Sequence, residues 1–431
     1  MDRIIHPGGK ISGVVEVPGD KSITHRALIF GSLCEGDVLI ENLSTADDCA
    51  ATIDCLKALG VQMASSGKNL IIKGKGLTGL REPEGILDAR NSGTTIRLLA
   101  GLAAGQPFYT ILTGDDSLKS RPMKRVIDPL KQMGAVILAR KGDSLAPITI
   151  SGRKLNSINL TLPVASAQVK TAILIASLYS SGTSTIVELI PTRDHSERML
   201  RYLGAELTVS GNTISLRSSS LKAKPIFVPG DISSAMFFIV AGLLLPESQL
   251  EIRNIGLNRT RMGAIDVLVE MGANIEILER GIRNEEPFGD INVRSTQLKG
   301  ITIGREQIPS LIDEIPILAL AATQAEGKTV ISGAEELRVK ESDRLHGVAS
   351  QLNKMGADVS EVPDGLQING NAALRGTTVE SFGDHRLEMT MAIAGLIASG
   401  QTIIKDANAA KVSFPEFYEI LKQTGCAVDE T

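Results

Sequence analysis

The sequence of 431 residues has no tryptophan, and aromatic residues make up only 3% of it. Aromatic side chains are the usual stacking platforms for unpaired bases, so their scarcity disfavours a surface that binds nucleic acid. The charge balance points the same way, because a formal net charge of −4 leaves no basic excess to displace counterions from a phosphate backbone. We therefore expect no nucleic acid among the partners of this chain.

Long hydrophobic runs and cysteine-rich segments are also missing. The longest apolar run, residues 235–245, ends at Pro246 after 11 residues, whereas a helix needs about 20 to cross a bilayer. The first residues show neither a basic segment followed by an apolar one nor an Arg- and Ser-rich stretch, which predicts a cytoplasmic protein. Four cysteines without C-x-x-C spacing and five scattered histidines predict reduced thiols and no bound metal.

What the sequence does contain is a repeat. An amphipathic helix that ends in glycine and leads directly into a strand recurs about every 70 residues, first as C-L-K-A-L-G-V-Q-M. Its apolar residues fall three and four apart on one face, and glycine supplies the left-handed conformation that ends a helix. The six glycines, one in each repeat, are Gly60, Gly134, Gly204, Gly272, Gly356 and Gly425.

A second kind of helix occurs once in each repeat and is apolar on nearly all sides, as in A-M-F-F-I-V-A-G-L-L-L. A helix without a polar face belongs in the interior, so we expect three buried helices in each half, with sheets and amphipathic helices outside. Each buried helix follows an extended run and a short polar segment. Because helix N-termini offer free N–H groups and a positive dipole end, these polar segments are candidate anion sites.

Cations stand at these helix starts in the first half of the chain. Lys21 and Ser22 begin one buried helix and Arg26 follows one turn later, so both cations can reach the same anion. A solvated surface position is the alternative for each cation alone, but their recurrence favours anion binding. Further arginines in comparable polar segments are Arg97, Arg121 and Arg193.

The second half of the chain adds charges of both signs. Lys340 and Arg344 are four residues apart, and we expect them to share one helical face; an exposed salt-bridge network that includes Glu341 is the alternative. Arg386 stands at the start of an otherwise apolar helix. Asp313 interrupts an apolar run, which costs free energy unless the carboxylate is partnered or used, so it is either a general base or a buried cap.

Cations in both halves, with few carboxylates between them, predict small polyanionic substrates such as phosphates and carboxylates held between two domains. We expect the substrates to close the domains, because two anions relieve the repulsion between facing cations. The type of reaction does not follow from these residues alone.

Six motifs follow one another along the chain and carry a resemblance to one family. They are P-G-D-K-S-x-T-H-R (18–26), N-S-G-T (91–94), R-P-M (121–123), A-S-A-Q-V-K (165–170), R-V-K-E-S-D-R (338–344) and G-D-H-R (383–386). In this order they resemble the 3-phosphoshikimate 1-carboxyvinyltransferase (EPSP synthase) family of enolpyruvyl transferases. The resemblance implies a two-domain inside-out α/β barrel of six βαβαββ repeats, three per domain. It places residues 1–18 and 228–431 in one domain and 19–227 in the other.

The resemblance also implies a reaction: transfer of the enolpyruvyl group of phosphoenolpyruvate to the 5-hydroxyl of shikimate 3-phosphate, with release of phosphate and without a metal or organic cofactor. We expect a monomer. In the catalytic roles that the family suggests, Asp313 accepts the hydroxyl proton, Glu341 handles the methylene proton and Lys21 assists. The implied ligands of shikimate 3-phosphate are Lys21, Ser22, Arg26, Ser166, Gln168, Arg193, Asp313 and Lys340. Those of phosphoenolpyruvate are Lys21, Gly93, Arg121, Gln168, Arg344 and Arg386.

Other functions stay open at this stage. A UDP-N-acetylglucosamine enolpyruvyl transferase shares the fold and the chemistry, but that family has Lys-Asn in place of Lys21-Ser22 and usually a cysteine in the loop that corresponds to residues 113–120, which here has none. A non-catalytic sensor of phosphate ligands and a relative that processes RNA ends are further alternatives. The presence of both Asp313 and Glu341 disfavours a sensor, and the acidic composition disfavours RNA.

Overall fold

The computed structural model describes residues 1–430, which divide into two compact units. The N-terminal unit comprises Gly19–Val228 together with the short segment Ile282–Glu286. The C-terminal unit comprises Met1–Pro18, Pro229–Gly281 and the chain from Pro287 onward. Each unit buries its own cluster of apolar side chains. No helix within residues 1–430 is both long and apolar enough to cross a membrane.

Three helices form the interior of the N-terminal unit, as their uniformly apolar sequences predict. The outer helices instead bury one face, so that Leu56 is buried while the adjacent Lys57 is exposed. The buried helices are Lys21–Ser32, Gly93–Ala104 and Ala167–Ser177. The others are Asp47–Ala58, Asp116–Ser120, Lys124–Gln132, Arg140–Asp143 and His195–Tyr202.

The main sheets of this unit pack against the buried helices and share one topology. In each sheet an edge strand runs parallel to its neighbour, and that neighbour pairs antiparallel with one strand of a hairpin. In one sheet, for example, Leu112 lies opposite both Leu87 and Ile148. The three sheets consist of Leu221–Lys222, Ile226–Phe227, Cys34–Glu41, Gln62–Ser66 and Asn69–Lys75; of Leu87–Asp88, Tyr109–Thr113, Val136–Ala139 and Leu145–Ser151; and of Asn159–Leu162, Thr183–Glu188, Glu206–Ser210 and Thr213–Arg217. Leu155–Asn156 and Ser180–Ser181 form a separate short pair.

The C-terminal unit repeats this plan around three further buried helices. Aromatic rings join an outer helix to the interior, since the ring centroids of Phe417 and Phe237 lie 5.9 Å apart. The buried helices are Ile232–Leu244, Ile315–Gln324 and His385–Ile397, and the outer ones are Gly263–Glu270, Ile308–Leu311, Arg344–Lys354 and Phe417–Gln423. Short 3-10 helices occupy Arg259–Arg261, Ile312–Glu314, Glu335–Val339 and Ala409–Val412.

The first residues of the chain complete two sheets of the C-terminal unit. Ile4 pairs antiparallel with both Ile403 and Asp429, and Val14 pairs parallel with Glu251. The three sheets consist of Thr378–Glu380, Thr402–Lys405, Arg3–Ile5 and Val428–Glu430; of Ser12–Val15, Gln249–Gly256, Glu286–Arg294 and Asn274–Arg283; and of Thr302–Ile303, Lys328–Ile331, Gly365–Asn369 and Asp358–Val362.

The glycines that end the amphipathic helices all have positive φ angles, from 88° at Gly60 to 102° at Gly425. A side chain with a Cβ atom is strained in this region, so glycine is required where the chain leaves the helix for the next strand. The predicted helix ends are confirmed. With the buried helices inside and the sheets packed against them, the inside-out α/β fold of six repeats is confirmed as well.

Candidate active site

Three capped helix starts carry many of the predicted binding residues of the N-terminal unit. Asp20, Ser92 and Ser166 each accept a hydrogen bond from the main-chain N–H three residues later, over 2.8, 3.1 and 3.4 Å. Ser22 lies half-buried in the first turn of its helix. Because the first N–H groups of a helix have no partner within the helix and lie at the positive end of its dipole, each of these starts favours an anion.

Lys21 forms an ion pair that the sequence did not indicate. Its Nζ donates to Oδ2 of Asp48 over 2.8 Å, and the two side chains are 18% and 11% exposed. Asp48 lies in the first turn of the neighbouring helix Asp47–Ala58. Because the pair is largely shielded from water, it holds the ammonium group more firmly than a surface pair does.

Arg26 is buried at the start of the same helix as Lys21. Its Nε donates to Oγ of Ser196 over 2.7 Å, its Nη2 to Oγ1 of Thr171 over 2.8 Å and its Nη1 to the main-chain oxygen of Ser22 over 2.8 Å. Burial lowers the pKa of Arg26 to about 10. The guanidinium therefore stays charged at neutral pH, and these three hydrogen bonds go to neutral oxygens.

Arg193 precedes the outer helix of the third repeat and is half-buried. Its positive charge contributes to lowering the pKa of Arg26, while the charge of Glu197 raises that pKa, so the three groups share one electrostatic environment. Glu197 itself meets the buried ammonium of Lys170 at 2.6 Å. Arg193 and Arg26 thus belong to one cluster, which also contains the buried carboxylate of Glu197.

Gln168 is held by two side chains of the neighbouring helix Gly93–Ala104. Its Oε1 accepts from Nη1 of Arg97 over 2.6 Å, and its Nε2 donates to Oγ1 of Thr94 over 2.9 Å. Arg97 is buried, and it also donates to the main-chain oxygen of Pro122 over 3.3 Å. Arg97, which the sequence singled out only as a cation at a helix start, therefore fixes the amide of a predicted substrate ligand.

Arg121 and Gly93 lie together at the start of the second buried helix. Arg121 is buried, and it donates to the main-chain oxygen of Asn91 over 3.2 Å and to Oγ of Ser117 over 3.0 Å. A Cβ atom at Gly93 would lie 2.8 Å from Nη1 of Arg97 and 3.4 Å from Nη1 of Arg121. A side chain at this position would therefore force the guanidinium group of Arg97, or the main chain, to shift.

In the C-terminal unit, Asp313 lies beside two arginine side chains. Its Oδ1 is 3.5 Å from Nη1 of Arg344, and its Oδ2 is 3.8 Å from Nη2 of Arg386. Arg386 also donates from Nη1 to the main-chain oxygen of Asp313 over 2.8 Å. Of the two carboxylates in this apolar run, Glu314 is 1% exposed and Asp313 is 18% exposed. Asp313 is therefore the more accessible of these two carboxylates.

Arg344 is almost fully buried among three carboxylates. Its Nε donates to Oδ2 of Asp384 over 2.7 Å, its Nη2 donates to Oε2 of Glu341 over 2.5 Å, and its Nη1 faces Asp313. Burial acts to lower the pKa of Arg344, but the charges of Asp384, Glu341 and Asp313 outweigh it and raise this pKa above its ordinary value. Both predicted catalytic carboxylates of this unit thus meet one permanently charged cation.

The expectation that Lys340 and Arg344 share a helical face is wrong. The helix begins at Arg344, and Lys340 directly follows the 3-10 helix Glu335–Val339. Asp343 caps the helix by accepting from the main-chain N–H of His346 over 3.1 Å, which fixes its start after Lys340. Burial lowers the pKa of Lys340, and the negative charge of Asp313 partly opposes this shift. Lys340 therefore lies within electrostatic range of Asp313.

The sequence predicted the cations of both units, but it did not predict the carboxylates that pair with them, Asp48 with Lys21 and Asp384 with Arg344. Asp384 could have been recognised, because an aspartate just before an apolar helix is a favoured N-cap. Asp48 has no such signal, since its contact with Lys21 joins residues 27 apart that meet only when two helices pack.

Comparison with known proteins identifies the family that the sequence motifs resemble. Residues 5–421 match the sequence profile of the family described as EPSP synthase (3-phosphoshikimate 1-carboxyvinyltransferase). A 3-phosphoshikimate 1-carboxyvinyltransferase from Thermoanaerobacter sp. (strain X514) is 51% identical over 420 residues, which cover 97% of this chain and 99% of the relative. A protein of the same name from Desulforamulus reducens is 50% identical over 426 residues, which cover 98% of this chain and 99% of the relative.

Solved structures of enolpyruvyl transferases are also similar to this chain. An EPSP synthase from Acinetobacter baumannii superposes with a TM-score of 0.89 at 40% identity, over 99% of each chain. The enolpyruvyl transferase NikO from Streptomyces tendae superposes with a TM-score of 0.80 at 18% identity, over 100% of this chain and 98% of that one. The second likeness is one of fold alone.

Proposed function

This chain belongs to the EPSP synthase (3-phosphoshikimate 1-carboxyvinyltransferase) family, and from that premise we propose how its residues carry out the reaction. The enzyme transfers the enolpyruvyl group of phosphoenolpyruvate to the 5-hydroxyl of shikimate 3-phosphate, giving 5-enolpyruvylshikimate 3-phosphate and phosphate. This step belongs to the shikimate pathway of aromatic amino acid biosynthesis. The relatives at about 50% identity favour it over transfer to a UDP-sugar and over phosphate sensing without catalysis.

Shikimate 3-phosphate binds mainly to the N-terminal unit in this proposal. Arg26 supports this assignment, because it is charged and donates its hydrogen bonds to the neutral oxygens of Ser196, Ser22 and Thr171, so its positive charge is available to a phosphate. Gln168 supports it as well, since Arg97 holds its amide in a fixed position. The proposed ligands are Lys21, Ser22, Arg26, Ser166, Gln168 and Arg193, with Asp313 and Lys340 from the C-terminal unit.

Phosphoenolpyruvate carries a carboxylate and a phosphate, for which planar guanidinium groups are suited because each can donate two parallel hydrogen bonds. Arg344 and Arg386 both lie beside Asp313, and Arg121 lies at a helix start where main-chain N–H groups also favour an anion. The proposed ligands are Lys21, Gly93, Arg121, Gln168, Arg344 and Arg386.

The chemistry requires proton transfers at two atoms, the hydroxyl oxygen of shikimate 3-phosphate and C3 of phosphoenolpyruvate. In the first step the 5-hydroxyl oxygen forms a bond to C2 of phosphoenolpyruvate, Asp313 takes the hydroxyl proton, and C3 gains a proton from Glu341 with assistance from Lys21. In the second step the bond from C2 to the phosphate oxygen breaks and phosphate leaves with the electron pair, and the proton held by Asp313 passes to the released phosphate or to solvent. C3 returns its proton, which restores the double bond. Fixed cations stabilise the negative charge that develops on the leaving phosphate.

The observation that supports this proposal most is the placement of Asp313 and Glu341 on the same guanidinium, that of Arg344. Both carboxylates are partly exposed, at 18% and 21%. The proposed base for the hydroxyl proton and the proposed acid for the methylene proton therefore both lie beside a cation that is proposed to bind the reacting substrate. A sensor would need the cation but not two accessible carboxylates.

Substitution Asp313→Asn tests the assignment of the base. The amide has nearly the same size but accepts no proton, so we expect turnover to fall by about 10²- to 10⁴-fold while the KM of each substrate stays within a few fold. Asp266→Asn is the matched control, because Asp266 pairs with Arg259 in the same unit at an exposed site. If Asp313→Asn turned over at the control's rate, Asp313 would not be the base.

Three further points belong to the same proposal. The enzyme acts as a monomer in the cytoplasm, and its catalytic domains correspond to residues 19–227 and to residues 1–18 with 228–431. All proposed ligands come from a single chain, so the proposed site needs no second subunit. Light scattering coupled to size-exclusion chromatography, with and without both substrates, tests the oligomeric state.

A further inference from the structure

The three carboxylates around Arg344 are not equivalent. Glu341 and Asp313 are 21% and 18% exposed, so a substrate anion can take their place on the guanidinium. Asp384 is fully buried, and its contact with Nε of Arg344 at 2.7 Å is out of reach of any substrate. Asp384 is therefore the permanent partner of Arg344, and the other two are exchangeable.

Asp384 also contacts the second arginine of this cluster. Its Oδ1 accepts a hydrogen bond from the main-chain N–H of Arg386 over 2.9 Å and so caps the helix His385–Ile397. Its Oδ2, which accepts from Arg344, accepts a further hydrogen bond from Oγ of Ser342 over 3.1 Å. A single buried carboxylate thus connects the side chain of one arginine with the main chain of the other.

We propose that Asp384 is the positioning residue for the phosphoenolpyruvate site, holding Arg344 by its Nε edge so that Nη1 and Nη2 remain directed at the substrate anion. This inference rests on the proposed function, in which Arg344 and Arg386 bind phosphoenolpyruvate. Asp384 touches no substrate and acts only through the two arginines. Shikimate 3-phosphate is bound largely by other residues, so its affinity does not depend on Asp384.

The proposal requires a carboxylate and not only a polar side chain. Both oxygens of Asp384 accept hydrogen bonds, one from the N–H of Arg386 and one from Nε of Arg344. An asparagine has one acceptor oxygen and one NH2 donor, so it can satisfy only one of these two partners. In Asp384→Asn either the helix loses its cap or Nε of Arg344 faces another donor, and the buried guanidinium loses its permanent counter-charge.

Steady-state phosphate release from the full-length enzyme tests the proposal, with one substrate saturating and the other varied. For Asp384→Asn we expect the KM of phosphoenolpyruvate to rise about ten- to hundredfold, with the KM of shikimate 3-phosphate and kcat within about threefold of the unmodified enzyme. A milder variant, Ser342→Ala, removes one donor to Asp384, and we expect it to raise the same KM by about two- to fivefold.

Asp231→Asn is the matched control. Asp231 caps another buried helix of the same unit and likewise contacts an arginine, Arg261, at 3.3 Å, but neither residue is among the proposed ligands. We expect this variant to lower the thermal unfolding temperature about as much as Asp384→Asn does, without changing the KM of phosphoenolpyruvate.

The possible outcomes distinguish a failure of the proposed function from a failure of the positioning role of Asp384. If the unmodified enzyme releases no phosphate from the two substrates together, the proposed function fails. If it does, but Asp384→Asn leaves the KM of phosphoenolpyruvate unchanged or raises both KM values equally, the positioning role is wrong. Should Asp384→Asn fail to fold, Ser342→Ala decides, and an unchanged KM of phosphoenolpyruvate in that variant overturns the proposal.

Discussion

The carboxylate of Asp48 lies 2.8 Å from the ammonium of Lys21, and both side chains are mostly shielded from water. The two residues lie in the first turns of neighbouring helices, Asp47–Ala58 and Lys21–Ser32, which pack against each other. Lys21 has four side-chain carbons and would otherwise sample many rotamers. Asp48 thus selects the position of an ammonium group that is proposed to contact both substrates.

Asp48→Asn is expected to lower kcat/KM by roughly tenfold, because the neutral amide attracts the ammonium of Lys21 more weakly and leaves it more conformational freedom. Asp47→Asn is the control: Asp47 occupies the same turn of the same helix but is exposed. Both variants remove one negative charge near the helix start. Equal kinetics for the two would show that Asp48 does not position Lys21.

Gly93→Ala is expected to weaken binding of phosphoenolpyruvate. The added Cβ would lie 2.8 Å from Nη1 of Arg97, closer than real Cβ contacts allow, so Arg97 or the main chain must shift. Nη1 of Arg121 would lie 3.4 Å from the same Cβ. We predict that the KM of phosphoenolpyruvate rises about tenfold or more and that the KM of shikimate 3-phosphate changes less. Gly85→Ala, where a Cβ meets no atom within 4 Å, should leave both KM values unchanged.

Lys170→Met tests the buried charges behind Arg26. Nζ of Lys170 lies 2.8 Å from Glu188 and 2.6 Å from Glu197, and its side chain is fully buried. Removing the ammonium leaves two buried carboxylates without their cation, which should lower the free energy of unfolding by about 3–5 kcal/mol. Urea denaturation measures this change.

Lys124→Met serves as the control for Lys170→Met. Lys124 pairs with Asp128 at 3.2 Å, but both side chains are about half exposed, so its loss should change the free energy of unfolding by less than about 1 kcal/mol. A similar loss of stability in both variants would mean that burial does not govern the contribution of Lys170.

His25 should make the stability of the protein depend on pH. Burial, aided by the charges of Lys21 and Arg26, holds the pKa of His25 well below its ordinary value of 6.5. The unfolded chain therefore binds a proton below pH 6.5 that the folded protein does not. The free energy of unfolding should fall as the pH drops below 6.5, by up to about 1.4 kcal/mol per pH unit.

Thermal unfolding between pH 5 and 8 checks the role of His25. His25→Gln should reduce the loss of stability below pH 6.5, because the residue that takes up the proton on unfolding is gone. His346→Gln, at an exposed position, should keep the pH dependence of the unmodified protein. An unchanged profile in His25→Gln would assign the pH dependence to other groups.

The sequence predicted the fold well because the fold rests on local patterns. Uniformly apolar helices mark the interior, and a glycine such as Gly60 ends each amphipathic helix in a conformation that other residues avoid. The boundary at Lys340 was misjudged because a spacing of four residues indicates a shared face only within one helix. There the cap at Asp343 starts the helix at Arg344.

The arrangement within each half of the candidate site was harder to predict. Charged residues at helix starts are visible in the sequence, and the motifs pointed to their ligand roles. The contact of Arg97 with Gln168, however, joins residues 71 apart, and the contact of Arg344 with Asp384 joins residues 40 apart. Such contacts depend on how buried helices pack side by side, for which a single sequence carries no local signal.

Phosphate release by the purified full-length protein tests the central claim most directly. The protein is incubated with phosphoenolpyruvate alone, with shikimate 3-phosphate alone and with both, and free phosphate is measured over time alongside the organic product. The account predicts release only when both substrates are present, with one 5-enolpyruvylshikimate 3-phosphate formed for each phosphate. Release from phosphoenolpyruvate alone, or none with both substrates in a folded sample, would contradict it.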